Sequence, residues 1–477
     1  MSDNRNAIIE KTISNQLQKS NQQVKNNIPI PIPTPGSVTI IKSIPPEGYY
    51  IVAPGSFVFA NDIHWKPSQI FSTAIYILSD DVDLDLSGFN LIAEGDYKST
   101  AIGIKIGDGI TCCKNVSIEN GAIKNLGYCG LSAVKTYLLN LTKITVDGLS
   151  YQNFDILPSG IFVEQAKSFI IDSCVVTNTT VTAMLFAGIL IMKSNKGLVY
   201  KCIVDQVINN DGVAAGYVYN GSSGIQSLGC QASNFWTHYG GDPFSTIGHT
   251  CIGFMPTESE DLTFTQCNAQ GMTGCCDDCH GMSLFSVNNV EVIGFYADQI
   301  WDGNGPQKTG AKATGLEVYG DNITIEYSSV KNIFAVVPQD LQATGFSACG
   351  TSIKFDNCSA ENVQVLDSSL KPNTQHGYGT GFGWAPDPRS QFVKPAVSAN
   401  YNSCTSTNCQ VGFDTWNHQN SVWTSPTTNN CPITILVQDS GAQRIYSMNF
   451  CSELPGSTPS SPEQNFPIIN CAKDNKY

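Results

Sequence analysis

The feature that most limits what this chain can become is a short motif returning between Ala101 and Phe413. It is a glycine, usually preceded by a small or polar residue and always followed by an apolar one. It reads Ile102-Gly103-Ile104, Cys129-Gly130-Leu131, Ser159-Gly160-Ile161, Ala187-Gly188-Ile189, Ser223-Gly224-Ile225 and Ile252-Gly253-Phe254. It continues as His280-Gly281-Met282, Thr314-Gly315-Leu316, Thr344-Gly345-Phe346, Thr380-Gly381-Phe382 and Val411-Gly412-Phe413. Successive glycines lie 27, 30, 28, 36, 29, 28, 34, 30, 36 and 31 residues apart. A period of roughly 20 to 50 residues marks a solenoid, propeller or array. Downstream of the glycine come short apolar alternations such as Val116-Ser117-Ile118, Ile144-Thr145-Val146, Leu262-Thr263-Phe264 and Ile323-Thr324-Ile325. These are strands too short to stand alone, and stacking one repeat on the next gives each a neighbour and a shared core. The spacing therefore predicts an all-β parallel β-helix of about eleven coils. A leucine-rich consensus with a helix is missing, and a propeller blade of about 40 to 45 residues is too long.

Cys174, Cys202 and Cys267 each follow their glycine by 14 residues and Cys358 by 13, which predicts one stacked column. Because free cysteine packs as a small hydrophobe, the column reads as an interior thiol ladder. Other cysteines among the 18, including Cys112, Cys113, Cys404, Cys409 and Cys431, fall in turns or the tail, where bridges are plausible.

The chain opens with residues 1–27, polar and rich in Asn, Gln and Lys. Ile9, Ile13, Leu17 and Val24 mark a thin stripe, so this segment reads as a short helix or stalk, or as a structureless tail. A stalk would make the protein a candidate homotrimer. Residues 28–36 alternate proline with other residues and form an extended spacer. Residues 37–100 are expected to be an N-terminal cap with the first strands, 101–425 the helix proper, and 426–477 a C-terminal cap and tail. Residues 209–221, the segment after Gly224 and the coil from Gly281 carry apparent insertions, which in a solenoid extend loops on one side.

With 26 basic against 40 acidic residues the net charge is −14, and no basic cluster occurs. A nucleic-acid partner would lack its electrostatic term. No apolar run is long enough to span a bilayer, and the N-terminus lacks a classical signal-peptide pattern.

The coil pattern over roughly residues 75–425 resembles the right-handed parallel β-helix proteins of the pectin-lyase-like superfamily. The opening, from Gly48-Tyr49-Tyr50-Ile51-Val52 into Val82-Asp83-Leu84-Asp85-Leu86-Ser87-Gly88, is similar to β-helix proteins of amoeba-infecting giant viruses and bacteria. The resemblance implies a virion or extracellular-surface location, with assembly in the cytoplasm of origin, and a polysaccharide or cell-surface glycan as partner.

The superfamily includes enzymes, and two kinds of chemistry can be weighed. Lyases of this fold use a basic residue, often with calcium. Only Arg5, Arg389 and Arg444 are arginines here, and no lysine is flanked by a calcium-type carboxylate cluster. Hydrolases resembling the polygalacturonases use aspartates with a histidine, and inverting hydrolysis needs two carboxyl groups on one cleft. Cys276-Asp277-Asp278-Cys279-His280-Gly281 is similar to their Asp-Asp and Gly-His-Gly elements, but Asn-Thr-Asp and Arg-Ile-Lys occur nowhere. The candidate catalytic residues are therefore Asp277, Asp278, His280, Asp298 and Asp302, with Asp205 as a further carboxylate in matching register. The same hexapeptide offers zinc one ligand group and no second pair, so neither metal nor cofactor is expected. Aromatic rings beside Asn, Asp and Gly suit sugar faces, which makes Tyr217, Tyr219, Trp236, Tyr239, Trp301 and Trp384 glycan-binding candidates. The favoured reading is a structural surface or virion protein that binds glycans through side loops. A carboxylate-dependent polysaccharide hydrolase is the alternative.

Overall fold

The structure is a computed structural model. It describes residues 38–152, 157–237, 250–274, 278–303, 312–336, 342–367, 369–372, 379–383, 396–414 and 418–437, and the backbone of three short strands beyond them. Residues 1–27, the proline-rich spacer 28–36, Cys275, Cys276, Asp277, Tyr239, Trp384 and Arg389 lie outside the described residues. Short parallel strands dominate, each pairing with its counterpart one coil away. Among the described residues the one helix is a 3-10 turn at Asp96–Thr100, and no helix is long and apolar enough to cross a membrane. The chain is an all-β parallel solenoid, as the glycine spacing predicts.

Three strands recur per coil. The first carries the glycine, as in Val213–Asn220 and Cys251–Thr257. The second follows it, as in Ser223–Leu228 and Glu260–Thr265, and the third comes next, as in Gln231–Thr237 and Asn268–Gly274. The segment expected as a cap is already coil-paired, since Thr39–Ile41 and Gly55–Phe59 lead in register to Val82–Asp85 and then to Cys113–Lys124.

The core is a set of columns. Leu131, Ile161, Ile189, Tyr217, Phe254, Met282, Leu316, Phe346, Phe382 and Phe413 are each fully buried, and successive members stand opposite one another. Rings stack down these columns. Tyr217 lies on Phe254 at 4.7 Å and 4°, and Tyr401 lies on Trp423 at 3.8 Å and 4°. At the glycines themselves adjacent coils touch: a Cβ on Gly253 would sit 2.4 Å from the Gly281 carbonyl oxygen.

This glycine ladder corrects the repeat at its fifth coil. Its member is Gly216, which meets Gly253 above and Gly188 below, whereas Gly224 lies on the second strand with φ +62°. Residues 213–220 are thus a core strand rather than an insertion, and the extra length falls between Thr237 and Cys251 instead.

With the phase corrected, the thiol column gains a member. Cys174, Cys202, Cys230 and Cys267 stack at one corner, Phe295 and Ser328 take that corner in the next two coils, and Cys358 with Cys404 resumes it three coils after Cys267. Each thiol donates to backbone carbonyls at the corner, as Cys230 does to Val199 at 3.4 Å and Cys267 to Ser227 at 3.4 Å. Burial pushes the Cys202 and Cys230 thiols well above their ordinary values, so they remain protonated donors. All fourteen described cysteines are free, and Cys112, Cys113, Cys404, Cys409 and Cys431 form no bridge.

Candidate functional site

The third strands create a long strip on the outside of the solenoid. At its edge one residue per coil takes the left-handed conformation: Asn178, Gln206, Asn234, Gly271, Gln299, Asn332, Asn362, Asn408 and Asn430, with φ from 51° to 65°. Asn tolerates this conformation better than most side chains, and Gly pays no steric cost there. Strand registry places these residues directly above one another. Several amides are held by the coil before. Asn178 donates to Asp147, Asn234 to Asp205 and Asn332 to Asp298, each at 2.8 Å. Asn362 donates to Asn332 at 2.7 Å and Asn430 to Asn408 at 2.8 Å.

Two residues further along each coil runs an outward-facing column: Thr180, Ile208, Trp236, Thr273, Trp301, Phe334 and Gln364. Trp236 is 50% exposed. Trp301 is half-buried and packs on Phe334, with ring centroids 4.6 Å apart. Coils rise about 4.8 Å each, so Trp236 and Trp301 stand roughly 10 Å apart along the axis. A groove of about 490 Å³ lies over Asn178, Thr180, Gln206, Ile208, Asn234 and Trp236. A second, of about 480 Å³, lies further along the same strip over Asn362, Gln364, Asn408 and Asn430. Rings flanked by amides at a fixed rise can pack sugar faces while pairing with hydroxyls.

The expected glycan-facing residues divide accordingly. Trp236 and Trp301 lie on the strip. Tyr217 and Tyr219 do not: both are fully buried, with the Tyr217 hydroxyl donating to the Cys202 carbonyl at 2.6 Å and the Tyr219 hydroxyl 2.6 Å from the Ser227 hydroxyl. Rings inside the core cannot meet a ligand, and the misplaced fifth glycine is what made them look like loop residues.

Among the described residues, the candidate acids Asp205, Asp298 and Asp302 do not face one cleft. Asp298 is on the strip edge, where it accepts from Asn332 and from the Tyr296 hydroxyl at 3.0 Å. Asp205 occupies the same register three coils away, which is roughly 14 Å. Asp302 is buried and accepts the Lys312 backbone N–H at 2.8 Å, fastening the corner into the next strand. Asn209, in the same column, does the same by bonding the backbone of Ala183 and Val213. These carboxylates serve the coil.

Asp278 and His280 lie on the first strand Asp278–Ile293, on another face of the solenoid. There they join an ionic cluster that no sequence motif announces. The Lys312 ammonium bonds one oxygen of Glu317, while the Ser283 hydroxyl donates to the other at 3.3 Å and His280 Nδ1 lies 3.5 Å from it. Asp278 stands opposite Lys312 in register, and the Lys312 ammonium is 5.7 Å from the Tyr319 ring centroid. His280, Lys312 and Glu317 are each only 4% exposed. Burial pushes Glu317 up, but Lys312 and His280 outweigh it and hold the carboxyl below its ordinary value. A general acid needs the reverse, a raised pKa and access to substrate. Among the described residues no group of three or more His, Cys, Asp or Glu side chains could hold a metal ion.

No family model and no curated protein matches this chain. Solved structures that resemble it include the tailspike protein of E. coli bacteriophage HK620, at 12% identity and a TM-score of 0.39, covering 82% of this chain and 72% of that one. The catalytic domain of a GH87 alpha-1,3-glucanase, solved with nigerose, is 13% identical with a TM-score of 0.35, covering 88% and 68%. The A-module of the Azotobacter vinelandii mannuronan C-5 epimerase AlgE4 is 10% identical with a TM-score of 0.32, covering 72% and 90%. Similarity of this order is silent on activity. What the strand pairings define is a parallel β-helix protein, the class implied by the pectin-lyase-like resemblance.

Proposed function

We propose that the chain is a surface- or virion-associated β-helix protein that binds glycan along the outer strip and does not cleave it. The half-exposed Trp236 ring, set in a groove of stacked amides, carries this reading. A binding role asks for a ring and hydroxyl partners at fixed spacing, and both come from the coil geometry. Hydrolysis would ask for two carboxyl groups facing one cleft. Asp298 and Asp302 are instead committed to Asn332 and to backbone. Residues 1–27 would tether the helix, as the stalk of a homotrimer.

The test is glycan binding by the full chain and by Trp236→Ala. Because the ring stands on the surface, its removal leaves the melting temperature within a degree or two and weakens binding about tenfold. Unchanged binding by Trp236→Ala would remove the strip from consideration.

A further inference from the structure

We propose that the strip selects uncharged polysaccharide, lying lengthwise over successive coils, and rejects acidic chains. This deepens the glycan-binding reading and rests on it. The groove around Trp236 is lined by Asn178, Thr180, Gln206, Ile208 and Asn234, with no cation among them. Amides and hydroxyls both donate and accept, which matches sugar hydroxyls but gives a carboxylate or sulfate no counter-charge.

At several coils the residue behind the amide column makes the bias stronger. Asp147, Asp205 and Asp298 stand in the position just before the amide column. Lys331, which shares that position, is already paired with Glu361 at 3.3 Å. A chain of net charge −14 adds the same sign at longer range. Nor do the described residues offer a cluster of three or more ligands through which a divalent cation could bridge a uronate to the protein.

The lengthwise orientation follows from the repeat. Amide and aromatic columns both run along the axis, and the two grooves lie on the same strip with Trp301 and Phe334 between them. A ligand crossing the strip would meet one coil. One lying along it meets a new amide about every 4.8 Å, with Gly271 the one gap between Asn178 and Asn362.

The experiment titrates the full chain with neutral oligosaccharides (malto-, cello-, laminari- and manno-series, three to seven sugars) and with polygalacturonate and hyaluronan. The expected result is a neutral series whose affinity rises with length, lost in Trp236→Ala, and acidic polymers bound at least about tenfold more weakly at low salt. Asp147→Asn with Asp205→Asn is expected to narrow that gap. Acidic polymers bound as tightly as neutral ones, with binding lost in Trp236→Ala, would overturn the selectivity and leave the glycan site standing. Affinity independent of length would overturn the lengthwise placement. No binding by any sugar, or full binding by Trp236→Ala, would overturn both the selectivity and the function it rests on.

Discussion

Replacing Lys312 by alanine is expected to destabilise the protein by about 3–5 kcal/mol, among the largest effects of any single substitution. Lys312 and Glu317 are both 4% exposed, so losing the ammonium leaves a carboxylate in the interior with Ser283, His280 and Tyr319 beside it but no full countercharge against it. Desolvation of an unpaired ion, rather than the lost attraction, sets the size of the cost. The double variant Lys312→Met/Glu317→Met removes both charges and is expected to recover most of the loss. The pH dependence fixes the sign. In the wild type Glu317 is held below its ordinary pKa. Its contribution is therefore present above the unfolded carboxyl pKa and is lost as pH falls through the folded value. In Lys312→Ala the same carboxyl is expected to rise, and acid protonates it and relieves the buried charge. The gap in unfolding free energy between wild type and variant should therefore shrink from pH 7 to pH 4. A gap that widens on acidification would contradict the ion-pair account.

Gly216→Val is expected to be similarly severe, at about 3 kcal/mol or more, while Gly224→Ala costs roughly 1–2 kcal/mol. A Cβ on Gly216 would meet the Gly253 carbonyl oxygen at 2.5 Å and the Ala232 Cβ at 2.9 Å, and neither can move without shifting a coil. Gly224 has φ +62° but nothing closer than 3.7 Å, so the cost there is backbone strain alone. Urea or thermal unfolding of the two variants distinguishes the positions. If Gly224 proved the more sensitive site, the coil phase described above would be wrong.

That pair of glycines also shows how far the sequence could be read. The fold was legible because coil stacking needs a glycine where adjacent backbones touch, and such residues recur visibly. The phase slipped at one coil because Ser223-Gly224-Ile225 fits the motif as well as Ala215-Gly216-Tyr217 does. Local pattern cannot tell a close-approach glycine from a left-handed one. The slip moved Tyr217 and Tyr219 from core to surface and hid Cys230 from the thiol column. A second signal was available. From Gly130 to Gly281, an Asn, Gln or Gly follows each coil glycine by 18 residues once Gly216 is used, giving Gly148, Asn178, Gln206, Asn234, Gly271 and Gln299. That regularity would have fixed the phase and exposed the strip together. Trp236 and Trp301 were legible as rings among polar residues, but not their common column, which depends on registry. Lys312 and Glu317 could not have been found, since lone charges carry no motif and become a pair only when two coils stack.

The most direct test of the central claim is retention and integrity of a polysaccharide in one experiment. The full chain is incubated with immobilised neutral glucans and mannans, bound protein is measured, and the released polymer is sized by chromatography. Wild type is expected to be retained on at least one of them, Trp236→Ala to pass through, and polymer length to stay unchanged. Shortening of the polymer by wild type would make the protein an enzyme, and failure of any glycan to retain it would leave the strip without its ligand.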